Sequence, residues 1–486
     1  MSEGIAMMGR WRPLTAVCLG TFMLLVDVNI VTVALPDMAR DLDVSFGGLQ
    51  WVMNVYALAL ASLLMGAGAV ADRIGRRRLY LIGTAVFALA SLACALAGNP
   101  ELLIIARAVQ GSGAAAMFAT TVALVNSSYQ GRDRSVALGV WAAVSGAASG
   151  IGPILGGLIT EQAGWRWIFL VNLPVSAVAI AMTLRSVHDS RDTSARPVDL
   201  PGVALFAVAA AALTYGLTRG AEDGWTDAVT MGAFAAAVAA LAAFAVVQLR
   251  SAHPLLDVEL LRQRAFVGVL IASLTLSGAA FASLLLTSLW LQTVLDLSAM
   301  AAGLVILPLP AAVFITSLLG GRLLHRVPAR WAIGIGLALI GIGGLAQTAL
   351  DADSHWTVLL PGLVITGIGA GLAMPAVTGA ALAAVPAERG GMASGTVNAL
   401  RQLGYALTVA VLGAVFHATS TDTPTHPGFA AGLDAVYSTA ASIALAGAAA
   451  VIVMTRLRRT PAAPTGLIAR VDESGATILA AAREPI

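Results

Sequence analysis

Residues 68 to 80 read GAVADRIGRRRLY, which puts four arginines and one aspartate into the seven positions from Asp72 to Arg78. Only 11% of the chain is charged, and long apolar runs flank this stretch on both sides. A basic cluster between two such runs marks a short loop kept on the cytoplasmic side of a membrane. The composition agrees, since 58% of the 486 residues are hydrophobic and mean hydropathy is +0.86. A water-soluble globule this apolar could not cover its own surface. The run from Pro13 to Leu35 is too long for a signal-peptide core, lacks a small-residue cleavage site and precedes many similar runs, so it is expected to remain as a span. Cys18 and Cys94 sit inside apolar runs and read as small core residues.

Apolar stretches of about 20 residues, enough to cross ~30 Å of hydrocarbon as helix, can be laid down about fourteen times. They centre near Leu24, Leu58, Ala88, Ala114, Ala147, Val175, Ala209, Val238, Ser277, Ala311, Leu339, Val364, Thr408 and Leu445. Sorted by alternate loops, 23 of the 28 arginines fall on the side of Arg73, three (Arg40, Arg166, Arg219) fall opposite, and Arg107 and Arg401 lie within spans. That asymmetry predicts both termini in the cytoplasm. The opposite loops are acidic, with Asp37, Asp41 and Asp43 in one and Glu222, Asp223 and Asp227 in another. The chain also repeats itself at an offset of 253 to 256 residues: GAVADRIGRRR aligns with GRLLHRVPARW (321 to 331), setting Asp72 and Arg73 against His325 and Arg326, and QGSGAAAMFA (110 to 119) aligns with TGIGAGLAMP (366 to 375). The expected fold is an all-α polytopic membrane protein. Its parts are a six-helix N-terminal half (1–186), a linker carrying spans 7 and 8 (187–264), a six-helix C-terminal half (265–456) and a partly disordered cytoplasmic tail (457–486). Parallel repeats of this kind characterise secondary transporters, which bind substrate at the repeat interface.

Several function classes drop out. Every Lys+Arg residue is arginine, so the chain has neither a Walker A lysine nor a Schiff-base lysine. The histidines at 188, 253, 325, 355, 417 and 426 form no HExxH pair, and no GxSxG elbow occurs. Neither an enzyme nor a metal, organic cofactor or nucleic-acid partner is expected.

The motif at 68 to 78 resembles the loop between helices 2 and 3 of the major facilitator superfamily, which reads G, three residues, then D-R-x-G-R-R/K. The resemblance implies that Gly68, Asp72, Arg73, Gly75 and Arg76 form a gate. In that family the aspartate contacts the other half in the outward-facing state, and Gly68 and Gly75 are expected to permit close helix approach. VDVNIVTVALP (26 to 36), QWVMNVYALALA (50 to 61) and WRWIFLVNLP (165 to 174) are similar to the fourteen-span drug:proton antiporters. RAVQGSGAA (107 to 115) resembles the proton-coupling motif, and GAASGIGPILGG (146 to 157) resembles the helix 5 motif of exporters. Through the latter, Gly146, Gly150, Gly152, Pro153, Gly156 and Gly157 are implied to form a smooth surface against the other half. The C-terminal half matches more loosely. The implied function is proton-coupled efflux of small amphipathic drugs or antibiotics across the cytoplasmic membrane. The alternatives are a dedicated exporter of one metabolite or self-made antibiotic, and a non-transporting sensor or scaffold.

Depth supports the coupling motif independently. Asp27 and Arg107 lie roughly 10 to 13 Å below the outer surface at 1.5 Å per residue, where charges face inward and pair. Asp27 and Arg107 are expected to interact beside Gln110, with Asp27 carrying the coupling proton in competition with substrate; a static ion pair is the alternative reading. Candidate cavity residues are Trp51, Asn54, Tyr56, Phe281, Trp290, Gln292, Phe314, Met374, Asn398 and Tyr405. Arg401 either meets an acidic or phenolic group on the substrate or bonds carbonyls and Gln402. One intramembrane acid favours neutral, zwitterionic or anionic substrates over divalent cations.

Overall fold

Inside hydrocarbon a backbone can satisfy its own polar groups only as helix or closed barrel, and each of the expected centres from Leu24 to Leu445 falls within a helix. The structure, a computed structural model, describes residues 10–43, 46–189, 199–251, 254, 258–323, 327–348, 350, 354–385, 390–420, 426–454, 468–471 and 477–480. In chain order the helices are α1 (Arg12–Leu42), α2 (Phe46–Ile74), α3 (Arg76–Ala95), α4 (Pro100–Ser128), α5 (Gly131–Ala163), α6 (Trp167–Leu170), α7 (Asn172–Ser186), α8 (Leu200–Asp223) and α9 (Ala228–Arg250). They continue as α10 (Val258–Leu261), α11 (Arg264–Phe281), α12 (Leu284–Thr293), α13 (Ala299–Ile306), α14 (Pro308–Leu323), α15 (Ala329–Leu345), α16 (Leu359–Ala383), α17 (Gly390–Thr419) and α18 (His426–Met454). Among the described residues, eleven helical segments are long and apolar enough to cross a membrane. By the same measure α15 has 17 residues and the apolar stretch of α2 is Gly48–Leu64.

Polar residues mark the helix starts. Asn99 accepts the Leu102 N–H at 2.8 Å ahead of Pro100, and Asp199 caps α8 through Gly202 at 2.9 Å. Asp227 caps α9, and the Thr230 and Val229 N–H groups together with Arg219 hold its carboxyl below the ordinary carboxylate range. Large apolar side chains such as Leu89, Val238 and Leu249 point outward, each more than two-thirds exposed. On a membrane protein that surface faces lipid. In the tail, Ile468–Val471 and Thr477–Ala480 pair as a two-stranded antiparallel ribbon. The rest of that tail, and His325 and Arg326, lie outside the described residues.

The repeat is visible in the packing. In the first half α1 packs on α5 and α7, and α4 packs on α2 and α3; in the second half α11 packs on α17 and α18, and α16 packs on α14 and α15. Across the seam α2 meets α17 and α5 meets α13 and α14, while α8 touches both α2 and α17.

Among the described residues the closest contacts across the seam gather at one end. Taking the face that bears Gly68–Tyr80 as proximal, the distal ends interlock: Gln292 Nε2 donates to the Val33 carbonyl at 3.0 Å, and an added Cβ on Gly157 would fall 2.5 Å from the Ala299 carbonyl oxygen. Along α2 and α17 the register is antiparallel, and a Cβ on Gly413 would collide with the Gln50 amide. Gly68 and Gly395 lie eighteen residues, five full turns or about 27 Å, nearer the proximal face on the same sides of those helices. A Cβ on either would meet no described atom within 4 Å. Among the described residues, then, nothing packs against Gly68, where the sequence suggested close approach.

The same substitution placed at two glycines tests this seam. Gly157→Ala should lower unfolding stability by about 1–3 kcal/mol through overpacking. Gly232→Ala, on α9 with no neighbour within 4 Å, should be neutral or slightly stabilising. Thermal unfolding of the two purified variants against the parent checks the difference.

Candidate functional site

Asp27 on α1 is fully buried. An ionised carboxylate in that position demands a counter-charge and hydrogen bonds to most of its lone pairs. It has both. Arg107 Nη1 donates to Asp27 Oδ2 at 2.7 Å, and Gln110 Nε2 and Asn172 Nδ2 each donate to Oδ1 at 2.9 Å. Arg107 is 1% exposed, and its remaining contacts are as complete: Nη1 also donates to Gln110 Oε1 at 2.7 Å and Nε donates to the Val52 carbonyl at 3.2 Å. Its guanidinium lies 4.2 Å from the Tyr56 ring centroid and 5.9 Å from that of Phe169, both within cation–π range. Ser91 closes the network, accepting from Gln110 at 2.9 Å and Asn172 at 3.3 Å while its own hydroxyl donates to the Phe87 carbonyl at 2.8 Å.

Five segments thus converge on one carboxylate: α1 brings Asp27, α2 brings Tyr56 and the Val52 carbonyl, α3 brings Ser91, α4 brings Arg107 and Gln110, and α7 starts with Asn172. The expected trio of Asp27, Arg107 and Gln110 meets directly. Asn172 and Ser91 were not singled out in the sequence. In this conformation no substrate can touch the carboxylate, so direct competition between substrate and proton at Asp27 is not possible here.

The gate residues divide. Gly75 joins α2 to α3 at φ 107°, a left-handed conformation, and a Cβ there would fall 2.5 Å from Asp189 Oδ1; glycine is required on both counts. Arg77 Nη2 donates to the Leu184 carbonyl at 2.5 Å and Arg78 Nε lies 3.6 Å from Asp189 Oδ2. The basic loop is therefore tied to the end of α7, within its own half. Arg73 is exposed and Arg76 half-buried. The Asp72 side chain lies outside the described residues.

On α5, Gly152 and Gly156 face α1 at Asn29 and Ile30, Gly157 faces Ala299 and Met300 of α13, and the Pro153 carbonyl lies where a Cβ on Gly303 would fall, at 2.5 Å. Gly157 and Pro153 thus face the other half as expected, whereas Gly152 and Gly156 pack against α1 within their own half. The surroundings of Gly146 and Gly150 lie outside the described residues.

The cavity candidates scatter. Tyr56 belongs to the charge network, Trp51 packs toward Tyr215 of α8 with centroids 6.1 Å apart, and Trp290 and Gln292 are built into the distal seal. Asn54 is fully buried with neither amide atom partnered among the described residues. Asn398, Arg401 and Tyr405 remain half-buried along one stripe of α17. Arg401 Nε donates to Ser277 Oγ and Nη1 to Asn398 Oδ1, both at 3.4 Å. Of the two sequence readings, neither backbone carbonyls nor Gln402 supplies its partners.

Comparison with known proteins agrees with this arrangement. The Major Facilitator Superfamily profile matches residues 17–409. The chain is 41% identical to "Multidrug resistance protein Stp" of Mycobacterium tuberculosis over 414 residues, covering 85% of this chain and 77% of that protein. It is 35% identical to the "Methylenomycin A resistance protein" of Streptomyces coelicolor, covering 84% of this chain and 86% of its relative. It is 31% identical to the "Tetracenomycin C resistance and export protein" of Streptomyces glaucescens, covering 83% and 75% respectively. The fold is shared with a crystal structure of the peptide transporter POT in complex with sulfate, at a TM-score of 0.67 and 17% identity over 91% of this chain and 94% of that one. The chain belongs to the major facilitator superfamily, and is a membrane transporter homologous to multidrug and antibiotic resistance proteins.

Proposed function

We propose that this transporter exports drug-like or antibiotic compounds from the cytoplasm in exchange for protons, with Asp27 as the protonation site. The observation that carries the reading is the buried network: its one carboxylate is held by a cation and two amide donors. Protonation removes the charge that binds Arg107, so the competition is between a proton and the guanidinium, with substrate acting on it through the conformational change. Arg107 is then left buried without a counter-charge, a situation worth about 3–5 kcal/mol. That is enough to repack the helices around it.

In this reading the seam between α2 and α17 opens to the cytoplasm, and the chain crosses the membrane fourteen times with both termini inside. Residues 1–186 and 265–456 move as the two halves, 187–264 carry the inserted helices and 457–486 form the tail. Gly157 and Pro153 of α5 keep the distal side sealed during loading, and Asp72 and Arg73 form the latch of the opposite state. A narrower reading, export of a single compound, has support in relatives named for resistance to methylenomycin A or tetracenomycin C; the breadth of a compound panel separates the two.

Three outcomes are expected. In liposomes with an internal pH dye, transported compounds should drive proton flux through the parent, and Asp27→Asn should lose it at least tenfold; unchanged flux would end the coupling role of Asp27. Asn172→Ala should lower unfolding stability by about 1.5–3 kcal/mol, read by thermal unfolding of the purified variant, because it removes a hydrogen bond to the buried Asp27 carboxylate. For topology, Thr226→Cys should react with a membrane-impermeant maleimide in intact cells, and Gln263→Cys only after lysis.

A further inference from the structure

Arg107 and Arg401 both lie deep in the helical bundle, and their surroundings are opposite in kind. Arg107 has its counter-charge: a carboxylate, an amide oxygen, a backbone carbonyl and two aromatic faces surround it. Arg401, about a third of the way along α17, has two neutral acceptors at 3.4 Å, long for such bonds. Among the described residues no carboxylate pairs with it, and Nη2 has no acceptor. The repeat sets Ala280, not an acid, opposite Asp27. A guanidinium stays charged at any physiological pH, and a charge at this depth is costly unless paired or hydrated.

The position is rigid. A Cβ on Gly404 would collide with the Leu274 carbonyl, and one on Gly278 with the Thr408 hydroxyl, so α11 and α17 are clamped within two turns of Arg401. The side chain is half-buried. Along α17 it lies between Gly413, packed on Gln50 at the distal end, and Gly395, which no described atom meets at the proximal end. Asn398 and Tyr405, one turn to each side, add an amide and a phenol to the same stripe.

We infer that Arg401 is a specificity-determining residue that binds an anionic head group, a carboxylate or an acidic enol or phenol, on an otherwise apolar compound entering from the proximal side. The planar fork of N–H donors suits two-point pairing with a carboxylate, and Ser277 and Asn398 hold it without neutralising it. This inference rests on the export reading above for its direction of transport, but not for the binding itself.

The test uses matched pairs of acid and methyl ester: 1-pyrenebutyrate and its ester, and naproxen and its ester. Affinity is read by quenching of tryptophan fluorescence in purified protein, and proton flux in liposomes. The parent should bind each acid at least tenfold tighter than its ester. Arg401→Gln should bring the ratio close to one, and Arg401→Lys should fall between, because charge is kept and the fork is lost. A parent that does not prefer the acids, or an Arg401→Gln variant that keeps the preference, overturns the inference. Acid-selective binding through Arg401 without any proton flux would instead overturn the export reading and leave the anion site standing.

Discussion

The constraint on which the N-terminal half depends is a single charge pair taken out of water. Asp27 and Arg107 are fully buried at 2.7 Å, and attraction at that distance offsets desolvation only where the remaining lone pairs and protons are also satisfied. Here they are, by two amides, a serine and a backbone carbonyl drawn from α2, α3, α4 and α7. The pair therefore sets the relative position of most helices in its half.

The seal between the halves has the opposite character. It is built from close backbone approach and small residues, Gly157 against Ala299 and Gly303 against Pro153, with few polar bonds crossing it. Several groups at or near it are left unsatisfied among the described residues: Gln50 Oε1, both amide atoms of Asn54 and Trp290 Nε1. Each buried unpaired group costs about 1–3 kcal/mol. A seal with those costs built in is close to balance with the opened state, where water can reach the same atoms, and a carrier that must alternate needs that balance.

Much of this was legible in the sequence, for identifiable reasons. Helix placement follows from the apolar runs, since inside hydrocarbon they leave the backbone one solution. Asp27, Arg107 and Gln110 were found because charges inside spans are costly and must pair. Asn172 escaped because an amide carries no charge and nothing in WRWIFLVNLP distinguishes it from a helix-start residue; its depth, matching that of Asp27, was the available signal. Ser91 gave none, as a small hydroxyl in a span usually bonds its own backbone. The cavity candidates scatter because residue type does not encode facing: Trp51 turns toward α8, Trp290 and Gln292 into the seal. Gly68 shows a different limit, since one residue can be packed in one conformation and open in another.

The two buried arginines also bear on energetics. For one-for-one exchange, the core with Asp27 ionised carries one net positive charge, and a bound monoanion brings it to zero. The loaded outward step then moves no core charge across the membrane. With Asp27 protonated and the anion gone, the returning core carries two positive charges, and an inside-negative potential pulls it inward. Each charge contributes about 2.3 kcal/mol per 100 mV, so at ~150 mV the cycle gains about 7 kcal/mol, against about 3.5 kcal/mol for a neutral compound and none for a monovalent cation. At 1.4 kcal/mol per tenfold step, the extra charge is worth more than a hundredfold in the concentration ratio sustained. The arginines themselves add nothing to that total, because their charges move out and back within one cycle; the gain lies in the charge of the compound carried.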